Sequence, residues 1–201
     1  MSQLTHYQEI TLIPDPDISP YFIWQKLYTQ LHIALAEVKN EHGIDSIGVS
    51  FPDYHYDDKK EQSSKLGHKL RVFAPSQADL ETLDLHKWLS RLSDYVHVKS
   101  ISEVGNKATG HAVVKRYRFK PMEIQAHTLA EKLGVSYEDA MVTVKKRKPE
   151  LKVPFINLKS ETNDVIYRLS ILQEVVDSPV KGAFNTYGLN TMTTGVTVPH
   201  W

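Results

Sequence analysis

One histidine in this chain, His32, sits in a setting suited to proton transfer. Apolar residues recur at Leu27, Leu31, Ala34, Leu35 and Val38, the spacing of one helix face. At about 100° per residue, His32 lies roughly 120° from the middle of that stripe, on the outward side with Tyr28 and Lys39. An imidazole held on a rigid helix and facing outward can serve as a general acid or base near neutral pH. An ordinary surface histidine fits the same spacing, and the chain has ten histidines.

The second chemically suggestive stretch is Val113-Val114-Lys115-Arg116-Tyr117-Arg118-Phe119-Lys120. From Gly105 to Lys120 there are five basic residues and no acidic one. In an extended chain Arg116, Arg118 and Lys120 share one face, and Lys115, Tyr117 and Phe119 the other. Basic side chains interleaved with aromatics suit a phosphate backbone with stacked bases. A solvated edge strand protected from aggregation accounts for the same residues. A third cluster, Lys145-Lys146-Arg147-Lys148, ends a helix before Pro149. It either binds phosphates or favours the helix C-terminus electrostatically.

Other chemistries lack their motifs. No His-Glu-x-x-His, EF-hand loop, Gly-x-Ser-x-Gly or Gly-x-Gly-x-x-Gly is present. Gly105 and Gly110 are spaced as in a P-loop, but His111-Ala112 stand where Lys and Ser/Thr are required. With no cysteine and no close histidine pair, neither a metal nor another cofactor is expected. What remains is acid–base chemistry by His, Ser and Tyr, or binding alone.

Composition is that of an ordinary globular protein, long enough at 201 residues for one large domain or two small ones. The absence of cysteine fits a reducing compartment. No run of 18 apolar residues offers a membrane span, and the polar Met1–Tyr7 segment lacks a signal-peptide core, so a cytoplasmic protein without a membrane partner is expected. The zero net charge hides a split. Residues 1–104 hold 10 Lys/Arg against 15 Asp/Glu, net −5, and residues 105–201 hold 14 against 9, net +5. Such asymmetry suggests that the C-terminal half meets a polyanion, although five charges either way is not extreme.

The elements that must position these residues follow in order. Strands are predicted over Tyr7–Ile13, Ile47–Phe51, His68–Phe73 and Tyr95–Ile101. A helix from Pro20 to Asn40 has Ser19 as N-cap and stops at His42-Gly43, and a second runs from the Ser76 cap to Leu92. In the third strand Leu70 and Val72 alternate against Lys69, Arg71 and Phe73. Residues 52–67 read as a loop. The order β-α-β-β-α-β is the ferredoxin-like motif, so the fold class is α+β, with a ferredoxin-like domain over 1–104 and a second domain over 105–201. After the Gly105–Gly110 linker, helices are predicted from Pro121 to Leu133 and from the Ser136 cap through Val144. Strands follow over Val153–Lys159, Val165–Leu172, Ala183–Leu189 and Val196–Trp201.

Several strings then point to a family. They are His6-Tyr7 with Pro14-Asp15-Pro16, Leu31-His32 on the first helix, and Ile47-Gly48-Val49-Ser50-Phe51-Pro52. Further on come Leu66-Gly67, Pro154-Phe155, Leu158-Lys159-Ser160, Arg168-Leu169 and Tyr187-Gly188-Leu189. Across nearly its whole length the chain resembles the CRISPR-associated endoribonucleases that cut precursor CRISPR RNA in type I-F systems. The resemblance implies metal-independent cleavage at the 3′ base of a repeat hairpin. The 2′-hydroxyl attacks the neighbouring phosphate and leaves 2′,3′-cyclic phosphate and 5′-hydroxyl ends. The enzyme then stays on the mature guide RNA, beside the other subunits of the interference complex. It implies His32 as general base, Ser160 as the residue positioning the nucleophilic ribose, and Tyr187 as the residue orienting the imidazole. Tyr167 would stack on the base pair beside the cut, and Arg116 and Arg118 would read base edges low in the stem. The remaining cations of the C-terminal domain, Lys115, Lys120, Lys145, Lys146, Arg147 and Lys148, are expected on the RNA. One departure stands out: the family's arginine-rich helix corresponds to Met122–Leu133, whose one lysine or arginine is Lys132. A hairpin-binding subunit that does not cleave is the alternative reading.

Overall fold

A computed structural model describes residues 3–57, 64–118, 120–146, 152–160 and 164–201. The chain is α+β with two antiparallel sheets. The first half contributes β1 (His6–Leu12), α1 (Pro20–His42), β2 (Gly48–Ser50), β3 (Lys69–Ala74), α2 (Gln77–Leu83), α3 (Leu85–Trp88), β4 (Val96–Val98) and β5 (Ser102–Glu103). The sheet order is β2-β3-β1-β4, with β5 also on β1, and every pairing is antiparallel. The second sheet is formed by β6 (Gly110–Tyr117), β7 (Phe155–Lys159), β8 (Ile166–Val176) and β9 (Thr197–His200), in the order β7-β8-β6-β9.

Local signals explain α1. The Ser19 hydroxyl accepts the Tyr21 N–H at 3.3 Å, Pro20 occupies the first turn, and the Gly43 N–H closes the end on the Lys39 carbonyl at 3.0 Å. The predicted helix from Ser76 to Leu92 is instead broken. Asp84 adopts a left-handed φ of 46°, ending α2, and its carboxylate caps α3 by accepting the Lys87 N–H at 3.2 Å. A 3-10 turn at Ser90–Leu92 follows. The predicted strand Tyr95–Ile101 is shortened to β4, and β5 follows beyond its predicted end, both on β1.

The expected boundary between residues 104 and 105 does not separate two compact bodies. Residues 1–117 and 153–201 form one unit. Their core is continuous, from Ile10, Leu70 and Val72 through Leu35 and Val49 to Val114, Ile171, Leu189 and Val198. Gly48 shows how closely the two parts approach. A β-carbon there would lie 2.6 Å from the Phe184 ring and 2.8 Å from Val198. Arg71 adds a polar tie. It alternates with Leu70 and Val72 along β3, and it is 8% exposed. Its Nε donates to Glu9 Oε2 at 2.8 Å, its Nη1 donates to the Trp201 carbonyl at 3.0 Å, and its guanidinium lies 3.9 Å over the Trp201 ring. Lys99 completes the group at 2.7 Å from Glu9 Oε1. Burial alone would raise the Glu9 pKa, but the two cations outweigh it and hold the carboxyl below its ordinary range.

Residues 118–152 form a second unit. It holds α4 (Met122–Leu133) and α5 (Tyr137–Lys145), packed through Ala126, Ala140 and Val144 with Leu129, Ala130, Tyr137 and Met141 around them. Ser136 caps α5 as expected, its hydroxyl accepting the Asp139 N–H at 3.1 Å.

Candidate active site

A cleft of about 560 Å³ opens between α1, the end of β6, the β7–β8 hairpin and the segment 184–190. Helix α1 contributes Thr29, His32, Ile33 and Ala36, spaced along one flank of the helix. Arg116 comes from β6, Leu158, Lys159 and Ser160 from the end of β7, Val165 and Tyr167 from the start of β8, and Tyr187 from the last segment.

Residues 183–189, predicted as a strand, are a turn instead. The Asn185 side-chain oxygen accepts the Tyr187 N–H at 2.9 Å and the Leu189 N–H at 3.3 Å, so local bonds replace a strand ladder. Gly188 takes φ 68°, and a β-carbon there would lie 2.8 Å from Val49. Both the left-handed backbone and the contact demand glycine. Its carbonyl accepts the Val49 N–H at 3.0 Å, tying the turn to β2. Tyr28 is the other anchor. Predicted to face outward, it is fully buried, and its hydroxyl donates to the Tyr187 carbonyl at 2.9 Å. The turn covers the side of α1 on which Tyr28 lies, which helical spacing alone leaves open.

This turn positions the imidazole. His32 Nδ1 lies 2.7 Å from the Thr186 carbonyl oxygen. A carbonyl can only accept, so Nδ1 carries the hydrogen, and in the neutral ring Nε2 keeps its lone pair. The Tyr187 ring is stacked on the imidazole, with centroids 3.9 Å apart and planes 5° from parallel. Burial lowers the His32 pKa. The Thr186 bond works the other way, the Arg116 cation adds to the lowering, and the net shift is downward. The base form is therefore the resting form at neutral pH.

Tyr187 is held from its other end by a hydroxyl–hydroxyl bond to Tyr167 at 2.8 Å. The Arg116 guanidinium lies 4.7 Å over the Tyr187 ring and 5.5 Å over the Tyr167 ring. Burial, the bond to Tyr187 and the charge of Tyr187 together push the Tyr167 hydroxyl up to about 12, with Arg116 opposing, so it stays protonated at neutral pH. Ser160 is fixed by its backbone: its N–H donates to the Val165 carbonyl at 2.9 Å, and its carbonyl accepts the Asp164 N–H at 3.0 Å. The cleft thus joins a neutral base, a hydroxyl, two tyrosines and a guanidinium, an arrangement able to deprotonate a hydroxyl beside an anion. Among the described residues, no group of three or more His, Asp or Glu is placed to hold a metal ion.

The structure therefore brings His32, Ser160, Tyr187, Tyr167 and Arg116 to one place. Lys115 alternates to the other face of β6 and lies 3.5 Å from Glu174. Arg118 and Lys120 follow β6 and belong to the second unit, so they do not continue the face of Arg116 along one strand. Lys145 and Lys146 stand at the end of α5 in that same unit. Arg147 and Lys148 lie outside the described residues. Sequence reasoning missed Thr186, whose contribution is a backbone carbonyl and leaves no side-chain signature. It also missed Thr29, Ile33 and Ala36, which follow from His32 by helical spacing.

Known proteins are similar to this chain in sequence. A CRISPR-associated endonuclease Cas6/Csy4 of Escherichia coli (strain UTI89 / UPEC) is 29% identical over 194 residues, covering 95% of this chain and 98% of the relative. One of the same description from Pseudomonas aeruginosa (strain UCBPP-PA14) is 32% identical over 194 residues, covering 93% and 96%. A solved structure described as CRISPR associated protein Cas6 covers 98% of both chains at 13% identity and a TM-score of 0.39. The family model for CRISPR-associated protein (Cas_Csy4) matches residues 7–201, and the chain belongs to that family.

Proposed function

We propose that this protein is the endoribonuclease that processes precursor CRISPR RNA, cutting at the 3′ base of the repeat hairpin without a metal and remaining bound to the product. The observation that carries the reading is the bond from His32 Nδ1 to the Thr186 carbonyl, with Tyr187 flat against the ring. It directs the Nε2 lone pair of a neutral imidazole to the reaction. In the proposed step, His32 Nε2 takes the proton of a ribose 2′-hydroxyl that Ser160 positions. The 2′-oxygen bonds to the adjacent phosphorus, the bond to the 5′-oxygen breaks, and that oxygen takes up a proton from water. A 2′,3′-cyclic phosphate and a 5′-hydroxyl result. In-line geometry and a base titrating near neutrality are what such a displacement needs.

Tyr167 stacks on the last base pair and so fixes where the duplex ends. Arg116 and Arg118 reach base edges low in the stem. Lys115, Lys120 and the Lys145–Lys148 cluster neutralise phosphates. In this reading the sheet β2-β3-β1-β4 with α1 is the ferredoxin-like part of the larger unit and carries the base, while the residues after 104 grip the hairpin. The bound guide RNA places the protein beside other subunits of a type I-F interference complex in the bacterial cytoplasm.

Single-turnover cleavage of the cognate hairpin in EDTA, from pH 5 to 8, tests the reading. The base must be unprotonated and its pKa is lowered. The rate should therefore be level at neutral pH and fall as pH drops through a midpoint below the ordinary histidine value of about 6.5. Loss of cleavage in EDTA, or a level profile down to pH 5, would overturn it.

A further inference from the structure

His32 stands on a dividing line of α1. Taking about 100° per residue, Tyr28 and Leu35 lie roughly 40° and 60° to one side of it. That side is buried and faces the 186–188 turn, through the Tyr28 bond to Tyr187 and the approach of Gly188 to Leu35. To the other side, at roughly 40°, 60° and 100°, lie Ala36, Thr29 and Ile33. These three are only half-buried, and they line the cleft with Leu158 and Val165, the last 55% exposed. The cleft therefore meets α1 along two flanks. One is covered by the turn that carries Tyr187. The other is an almost wholly apolar slot extending about 10 Å along the helix, from Thr29 to Ala36, with Val165 and the Leu158 partner of Tyr167 across from it. None of the roles assigned to His32, Ser160, Tyr167, Tyr187 or Arg116 uses this slot.

We infer that the slot formed by Thr29, Ile33, Ala36 and Val165 is a subsite for the nucleotide immediately 3′ of the cleaved bond, holding its base by apolar contact without reading its identity. The inference rests on cleavage by an internal hydroxyl. In-line displacement puts the attacking and departing oxygens on opposite sides of the phosphorus. With the stem foot against Tyr167 and its 2′-hydroxyl at His32, the departing nucleotide continues past the imidazole on the flank away from the Tyr187 turn. The slot is the part of the cleft on that side. Its walls offer aliphatic groups and one threonine, so they can cover the face of any base, and they present few groups that could discriminate base edges. A cleft of about 560 Å³ falls within the range of sites that enclose small ligands. The subsite steadies the leaving group in line, so it acts on rate and not on grip of the stem.

The test uses hairpins extended by one nucleotide beyond the cut, carrying each of the four bases or an abasic ribose there. Under single-turnover conditions the four bases should be cleaved within about threefold of one another, and the abasic substrate about tenfold more slowly, the scale of one base contact. In Ile33→Ser, and separately in Ala36→Asp, the gap between base and abasic substrates should shrink to within about twofold. Affinity for the cleaved hairpin, which lacks that nucleotide, should be unchanged. An abasic substrate cleaved as fast as the others, or an abasic penalty that persists undiminished in both variants, overturns the subsite while leaving the nuclease reading intact. Failure to cleave any substrate in the parent protein sinks both.

Discussion

Replacing His32 with alanine should slow hairpin cleavage by about 10²–10⁴-fold, the usual contribution of a positioned general base. Affinity for an uncleavable hairpin should stay within about threefold, because grip on the stem is assigned to stacking and to cations elsewhere. The split follows from the geometry. The imidazole is locked by a 2.7 Å bond to the Thr186 carbonyl on one nitrogen and by a parallel tyrosine ring 3.9 Å from its face. In the proposed mechanism its remaining nitrogen takes the proton, so removing it would take away a transition-state role and leave ground-state binding in place. A variant that binds and cuts like the parent would mean that another group takes the proton. A variant that no longer binds would make His32 part of the grip.

The largest expected loss of stability lies far from the cleft, at Arg71→Ala. This change leaves the Glu9 carboxylate, whose side chain is 7% exposed, facing only Lys99, whose side chain is 54% exposed. It also removes the donor to the Trp201 carbonyl and the cation over the Trp201 ring, the tie from β3 to the end of the second sheet. Breaking one side of a buried ion pair costs about 3–5 kcal/mol. For a protein of this size that lowers Tm on the order of 10 °C. Thermal unfolding followed by circular dichroism measures it directly. The double variant Glu9→Gln with Arg71→Met should recover much of the loss, because no unpaired charge is left buried. If Arg71→Ala melts with the parent, Glu9 is solvated in solution and the tie does not exist.

What could be read in the sequence was local. The α1 face, its Ser19-Pro20 start and its Gly43 stop, and the Ser76 and Ser136 caps are written within a few residues of where they act, and the structure has them. Errors arose where distant segments decide. Tyr28 reads as outward until the 186–188 turn covers it. Arg71 alternates with Leu70 and Val72 on β3, and nothing near it in the sequence shows that Trp201 closes over it. Residues 183–189 have strand-like composition, but the Asn185 side chain captures two backbone N–H groups and bends the chain into a turn. The division at residue 104 looked natural from element order, yet burial across Gly48, Phe184 and Val198 joins both sheets into one core. At the site, spacing offered His32 and Arg116 as candidates, each beside an ordinary structural reading, and the resemblance gave them their roles. Ser160, Tyr167 and Tyr187 carry no local signal, and resemblance alone picked them out. The β7–β8 pairing and the Asn185 turn bring them to His32.

The central claim is that a ribose hydroxyl, relieved of its proton by His32, is the nucleophile. Its most direct test is a hairpin with a single 2′-deoxy substitution on the nucleotide 5′ of the cut, compared with the all-ribose hairpin in EDTA, with product ends identified by mass spectrometry. The all-ribose hairpin should yield a 2′,3′-cyclic phosphate, and the deoxy hairpin should bind equally well and remain uncut. Cleavage of the deoxy hairpin at a comparable rate, or a product bearing a 3′-hydroxyl and a 5′-phosphate, would contradict the account.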